Sequence, residues 1–172
     1  MESRLAKIVN EIRTLDHERL YVLDYEYNEL LVVDGNECEV EVPDRHEQTV
    51  KGFICLHNHH LFDMPFTHKD IDAACKEETY MEMVVTKTAV YSLYPKDGFF
   101  GVDVFVKLAG NHEFFTKMKI LGVEHEKAVY DCAYDVADRI ECLMCTRLEK
   151  LWTEFAKEAD LTFTKEDLTC QL

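Results

Sequence analysis

Residues 50–75 have the sequence VKGFICLHNHHLFDMPFTHKDIDAAC. The apolar run Val50–Leu56 is typical of a buried β-strand, and it stops abruptly at a cluster of histidines that begins with His57. Pro65 interrupts the following segment. Thr67 then occupies a typical N-cap position with an acidic residue three positions later, which predicts a helix over residues 68–79. The stretch therefore predicts a strand, a polar loop and a helix.

The segments before this stretch predict a helix and a β-meander. Residues 2–14 place apolar side chains at helical spacing. Two runs of β-branched, aromatic and other apolar residues, 20–23 and 30–33, predict strands, and an Asp-Gly-Asn turn separates them from a third predicted strand over 37–42.

The segments after the helix predict more strands and then helices. Residues 83–86 and 89–93 indicate two strands, and the alternation in 102–108 predicts a third. A long amphipathic helix is predicted over about 124–158. The order of elements indicates an α/β or α+β fold, a mixed sheet flanked by helices. We expect a domain over residues 1–110, followed by an added C-terminal helical element over 111–172 that packs on the domain or mediates homodimerisation.

Composition narrows the classes of function. The chain has 172 residues and a net charge of −15, which disfavours nucleic acid and anionic membranes as partners because both attract clustered Lys and Arg. Its seven cysteines lack the spacing of a disulfide framework, and the charged N-terminal segment is unlike a signal peptide. These features favour a cytoplasmic protein.

The histidine cluster has the chemistry of a metal site. His57 and His59 are one residue apart at the end of a predicted strand, so their imidazoles point to the same side. Asp70, in the first turn of the next helix, can supply a carboxylate. Two nitrogen ligands and one oxygen ligand leave a fourth tetrahedral position for water, which is typical of catalytic Zn²⁺. We therefore predict a zinc site formed by His57, His59 and Asp70.

Residues 57–70 resemble the motif of the JAMM (JAB/MPN) zinc metallopeptidases. That motif is His-x-His, seven residues, Ser or Thr, two residues and Asp, and the spacing here is the same. The resemblance implies a JAB/MPN-like fold and a Thr67 hydroxyl that stabilises the oxyanion of the tetrahedral intermediate. This chain departs from the family in having His60 where Pro is usual and Thr67 where Ser is usual. Residues 82–93 and the hairpin over 23–33 are also similar to JAB-like domains of bacteriophages and bacteria.

The same resemblance implies an upstream glutamate that acts as general acid and base. Glu18 stands at the start of an early strand, as the family pattern requires. Glu39, Glu41 and Glu47 are closer to His57 in sequence, and the first two lie in an acidic segment that looks solvated. We assign the role to Glu18.

By resemblance the function is that of a zinc-dependent peptidase or isopeptidase, similar to deubiquitinases. Its substrate would be a protein or a peptide conjugate, including ubiquitin-like ones. The alternative is a non-catalytic JAB/MPN-like binding or scaffold module. A phage-encoded protein that acts on a host defence component is a setting suggested by the likeness alone. A phosphoesterase or amidohydrolase of the barrel type would need a longer chain.

Two further patterns have ordinary structural explanations. Cys142 and Cys145 form a Cys-x-x-Cys pair, but they lie in a predicted amphipathic helix without a second pair, which favours packing over metal or redox chemistry. Five phenylalanines are expected mainly in the core, with a substrate groove as the alternative: Phe99, Phe100, Phe105, Phe114 and Phe115.

Overall fold

A computed structural model describes residues 3–37, 39–60, 63–114, 116–117, 119–120, 123, 127 and 134–168, and the side chains of residues 134–142 lie outside this description. The described helices are α1 (Ser3–Ile12), α2 (Glu47–Val50, preceded by a 3₁₀ turn over Asp44–His46), α3 (His68–Glu77), α4 (Val102–Gly110) and α5 (Tyr134–Ala159). The strands are β1 (Arg19–Leu23), β2 (Glu29–Asp34), β3 (Ile54–Asn58), β4 (Met81–Val85), β5 (Ala89–Pro95) and β6 (Leu161–Asp167).

The six strands form one mixed sheet in the order β2-β1-β3-β4-β5-β6. Strands β3 and β4 are parallel, and every other neighbouring pair is antiparallel. A parallel pair needs a crossover connection, and α3 provides it between β3 and β4. The predicted fold class, a mixed sheet flanked by helices, is confirmed.

Helices cover both faces of the sheet. On one face, α1 buries its apolar stripe against alternate residues of the central strands, among them Leu56 and Met83. On the other face, α3, α4 and α5 pack on residues such as Val84 and Tyr91. All five residues of β3 are buried, as expected of a strand with both faces covered. Because side chains alternate, the strand that buries Leu56 toward α1 turns Cys55 and His57 toward α3.

Two predicted strands are wrong. Residues 102–108 form α4, which buries Val104 and Leu108 at a spacing of four, while the neighbouring edge of β5 is already paired with β6. The described residues of the segment 37–42 form no strand. There the chain turns back on itself: the Asn36 N–H donates to the Glu39 carbonyl (2.9 Å), and that carbonyl lies so close to Gly35 that a Cβ there would be 2.2 Å from it.

The boundaries of other elements are shifted, and one boundary falls outside the described residues. The run 50–56, predicted as a strand, is divided between the end of α2 and a strand that begins at Ile54. Helix α3 ends two residues before the predicted position 79, where Glu78 adopts a left-handed conformation. The start of the predicted long helix, residues 124–133, lies almost entirely outside the described residues.

The C-terminal segment contributes a strand as well as a helix. Strand β6 pairs with β5 over seven residue pairs, from Ala89 with Asp167 to Pro95 with Leu161. Helix α5 buries Leu148, Trp152 and Phe155 in the core that also contains α3. The segment predicted as a helical extension therefore completes both the sheet and the core. Among the described residues, no helix combines the length and apolar character that a membrane span requires.

Candidate metal centre

His57, His59 and Asp70 come together at the end of β3. Strand β3 directs the His57 ring toward α3, and His59 follows one residue beyond the strand, on the same side. Asp70 lies in the first turn of α3. The two Nε2 atoms are 3.2 Å apart, and each is 3.6 Å from an oxygen of Asp70: Oδ1 for His57 and Oδ2 for His59. Among the described residues this is the one group of three or more potential ligands that could hold a metal ion.

These separations fit one tetrahedral ion. Zinc–nitrogen and zinc–oxygen bonds of about 2.0–2.2 Å place tetrahedral ligand atoms about 3.3–3.5 Å apart. The observed 3.2 and 3.6 Å lie close to that range. The three donors therefore already have nearly the spacing of a bound ion.

The environment keeps both imidazoles suitable as ligands. Burial lowers the pKa of His57 to about 4, against the smaller opposing effect of Asp70, so its ring is neutral at pH 7. His59 lies with its Nδ1 3.1 Å from the Met64 carbonyl. Since a carbonyl can only accept, Nδ1 is the nitrogen that donates, which leaves Nε2 as the atom that faces the other two donor groups. This second contact fixes the ring in the way that ligating histidines are usually held.

A capping box fixes the carboxylate. The backbone N–H of Thr67 donates to Asp70 Oδ2 (2.6 Å), and the Thr67 side chain accepts from the Asp70 backbone N–H. The pair thus begins α3 and at the same time aims the carboxylate at the histidines. Thr67 also lines the cleft beside the three ligands, and its hydroxyl hydrogen remains available for donation.

Glu18 lies in the same cleft as His59, and the charge of His59 acts on its carboxyl. The β1–β3 register pairs Leu20 with His57, which brings the residues just before β1 to the end of β3. The side chain of Asn58 holds the backbone on both sides of Glu18. Its Nδ2 donates to the His17 carbonyl (2.9 Å), and its Oδ1 accepts from the Arg19 N–H (2.8 Å). Both peptide groups that flank Glu18 are therefore tied to the residue between the two histidines.

The Glu18 carboxyl is partly buried and lines the same cleft as the three ligands. Burial raises its pKa above the usual value, the charge of His59 lowers it, and the charges of Asp70 and Glu39 raise it further. The other glutamates considered differ from Glu18: Glu39 and Glu41 line the same cleft but are exposed, and Glu47 in α2 is 3.9 Å from the Lys76 amine. The assignment of catalysis to Glu18 and Thr67 stays a prediction.

The remaining histidines near the site do not join the group. His60, which stands where the family has Pro, buries its Nδ1 without a hydrogen-bond partner. It is not among the residues whose ligand atoms converge. His68 begins α3 and lines the cleft.

The cleft itself has a volume of about 830 Å³ and extends from the histidines to a buried acid on the neighbouring strand. Glu82 in β4 is only 4 % exposed, and Thr79 Oγ1 donates to its Oε1 (2.9 Å). Burial raises the pKa of Glu82 well above its usual value. The sequence interpretation missed this residue, although an acid inside the apolar strand MEMVV was the available signal.

The Cys-x-x-Cys pair and the five phenylalanines are described only in part. Cys145 donates to the Asp63 carbonyl (2.7 Å), and the side chain of Cys142 lies outside the description. Phe100 and Phe114 are core residues, whereas Phe99 and Phe105 are exposed, and Phe115 is not described.

Comparisons with known proteins return no match: neither a family model, nor a curated protein, nor a solved structure is similar to this chain. The functional evidence is therefore the site itself. It consists of a His-His-Asp group that could hold a metal ion, with a carboxyl, a hydroxyl and a cleft beside it.

Proposed function

We propose that the chain is a zinc-dependent peptidase or isopeptidase of the JAMM type, similar to deubiquitinases. The observation that carries the proposal is the spacing of the three donor atoms, 3.2, 3.6 and 3.6 Å, combined with the JAMM-like order of His57, His59, Thr67 and Asp70. Two imidazoles and one carboxylate suit Zn²⁺ and leave a position for water.

A bound Zn²⁺ would lower the pKa of water and polarise a substrate carbonyl. The residues around it would carry the proton chemistry. Glu18 accepts the proton of the water that attacks the amide carbon and delivers it to the nitrogen as the C–N bond breaks. The raised pKa of its carboxyl suits a group that must both take and release a proton near neutral pH.

Thr67 would stabilise the negative charge that develops on the carbonyl oxygen. Its position as N-cap fixes the hydroxyl at the positive end of α3 while the backbone N–H of Asp70 occupies one acceptor site. A donor held in this way needs no reorganisation during the reaction.

The net charge and the cysteines support a proposal for the class of substrate and for the cellular compartment. A net charge of −15 favours a basic or neutral protein or peptide conjugate over nucleic acid. Cys55 and Cys75 are free thiols, which supports a reducing cytoplasm as the location. A ubiquitin-like conjugate remains the proposed substrate class.

Metal content and hydrolysis together test the proposal. Purified wild type should contain about one zinc per chain by elemental mass spectrometry and should cleave fluorogenic peptide or isopeptide substrates. His59→Ala should lose both properties. Glu18→Gln should keep the metal and lose about 10²–10⁴-fold in kcat. His112→Ala, a change of an exposed histidine, is the matched control and should retain both.

The outcomes separate the alternatives. Unchanged metal content in His59→Ala would refute the site. A wild type that binds zinc but cleaves no conjugate would favour the non-catalytic binding module. Full activity in Glu18→Gln would remove Glu18 from the mechanism while leaving the metal centre in place.

A further inference from the structure

The cleft is also lined by the carboxyl group of Glu82, which has no role in the proposed hydrolysis. Glu82 in β4 is paired with Cys55 in β3, and His57 lies two residues further along β3. Strand spacing of about 4.8 Å and a rise of about 3.3 Å per residue put the Cα atoms of Glu82 and His57 about 8 Å apart. By strand parity both side chains point toward α3, and both line the cleft.

Glu82 has two hydrogen-bond partners. Thr79 donates to the carboxyl at 2.9 Å, and the Cys55 thiol donates a second hydrogen bond. The charge of Asp70 also raises its pKa, and none of the groups that set its pKa is a cation. The apolar residues that line the same cleft include Leu20, Val50 and Ala74. A carboxyl in such a place costs free energy in the empty protein, because burial penalises its charge.

The charged groups along the rest of the cleft are mostly acidic. Glu18, Glu39, Glu41, Asp44 and Glu77 line it, against two lysines. The Lys76 amine is already 3.6 Å from Glu77 and 3.9 Å from Glu47. A cleft with low-dielectric walls and one sign of charge concentrates ions of the opposite sign.

We propose that Glu82 is a specificity-determining residue, which receives a cationic side chain of the substrate at the inner end of the cleft. An ammonium or guanidinium group there would form a charge-assisted hydrogen bond with the carboxyl, while its aliphatic stem packs on the apolar walls. The assignment of the ligand as part of a substrate rests on the proposed function, whereas the binding of a cation does not.

Binding to the metal-free protein tests this inference. Nα-acetyl-lysine amide and Nα-acetyl-norleucine amide share a four-carbon stem and differ in the ammonium group. We expect the lysine probe, titrated into wild type and followed by amide chemical shifts, to bind at least about tenfold more tightly than the norleucine probe, since a hydrogen bond to a charged group has that value. The largest shifts should fall on residues 79–82.

Variants give the matched comparison. In Glu82→Gln the amide oxygen can still accept from Thr79, and the preference for lysine should fall to about one. Glu158→Gln removes an exposed carboxylate of α5 that does not line the cleft, and it should keep the preference. Intact amide spectra establish that each variant is folded.

Equal binding of the two probes to wild type would overturn the inference, as would no detectable binding of either or a lysine preference that survives in Glu82→Gln. The first two results need no variant. Since metal is absent throughout, a negative result leaves the zinc chemistry untouched, and loss of hydrolysis in Glu18→Gln leaves the cation site untouched.

Discussion

The side chain of Asn58 bonds to the peptide groups on both sides of Glu18. Its Nδ2 donates to the His17 carbonyl, and its Oδ1 accepts from the Arg19 N–H. Asn58 is 1 % exposed, and it lies between the two histidines of the metal group. One residue thus links the strand that bears the ligands to the strand that presents the candidate acid and base.

We expect Asn58→Ala to lower the free energy of unfolding by about 2–3 kcal/mol, because two buried backbone groups lose their partners. The zinc content should remain near one per chain, while kcat falls as Glu18 loses its fixed position. Urea unfolding, elemental analysis and steady-state kinetics measure the three quantities. Asn10→Ala, at an exposed site of α1, is the control. An unchanged kcat would mean that Glu18 needs no such support.

Asp70 caps α3 and belongs to the group that could hold a metal ion, and Asp70→Asn separates these two properties. The amide oxygen can still accept from the Thr67 N–H, so the cap persists and unfolding of the metal-free protein should change by less than about 1 kcal/mol. Zinc affinity should fall by more than about tenfold, because a charged ligand is lost. Competition with a chromogenic chelator gives the affinity. Equal affinity in the variant would exclude Asp70 as a ligand.

Thr67 is tested by comparing two substitutions. Thr67→Ser keeps the hydroxyl and should preserve both stability and kcat within a few-fold. Thr67→Val keeps the shape without the hydroxyl and should lower the free energy of unfolding by about 1 kcal/mol. Its kcat should fall by about 10²–10³ if the hydroxyl stabilises the oxyanion. A purely structural residue would show the first effect and not the second.

The buried acid predicts a pH-dependent stability. Glu82 has a raised pKa in the folded state, so the folded protein holds its proton at pH values where the unfolded chain has released it. Below the usual pKa of about 4.3 for glutamate both states are protonated, and no penalty arises. As pH rises above that value the acid increasingly destabilises the fold.

Glu82→Gln should therefore raise the free energy of unfolding at pH 7 by on the order of 1 kcal/mol and have little effect at pH 4. Urea unfolding of wild type and variant at both pH values gives the comparison. The exposed-site variant Glu41→Gln should show no such difference between pH 4 and pH 7. A stabilisation that is equal at both pH values would contradict a raised pKa for Glu82.

The C-terminal segment should be indispensable for folding. Trp152 is fully buried, and its Nε1 donates to the Phe66 carbonyl (2.8 Å), one residue before the N-cap of α3. We expect a chain that ends at residue 110 to lack a cooperative unfolding transition, since it would lose β6 and this core. In the full chain, Trp152→Phe should cost about 1–3 kcal/mol, because the buried carbonyl loses its donor. A stable, cooperatively folded 1–110 fragment would make residues 1–110 an independent domain.

Local patterns in the sequence were sufficient for the elements that build the site. The strand at His57, the Thr67 cap and the apolar stripe of α1 are all encoded by spacing within a few residues. The cap and the stripe lie where they were expected, whereas the strand begins at Ile54 rather than at residue 50. The convergence of His57, His59 and Asp70 also followed from local geometry, because a strand end and the first turn of the next helix are separated only by a short loop.

Only the tertiary structure decided the elements whose local pattern was ambiguous. Residues 102–108 alternate like a strand, but Val104 and Leu108 also fit one face of a helix. The edge of β5 that follows in the sheet is paired with β6, so residues 102–108 do not pair with it. The acid inside the apolar strand β4 was visible in the sequence, but the burial of Glu82 depends on Cys55 in the neighbouring strand and on the α3 residues that line the same cleft. The sequence alone determined the order of the candidate metal ligands His57, His59 and Asp70. The pairing of distant strands determined that Glu18 and Glu82 line the same cleft, because neither residue is close to the ligands in sequence.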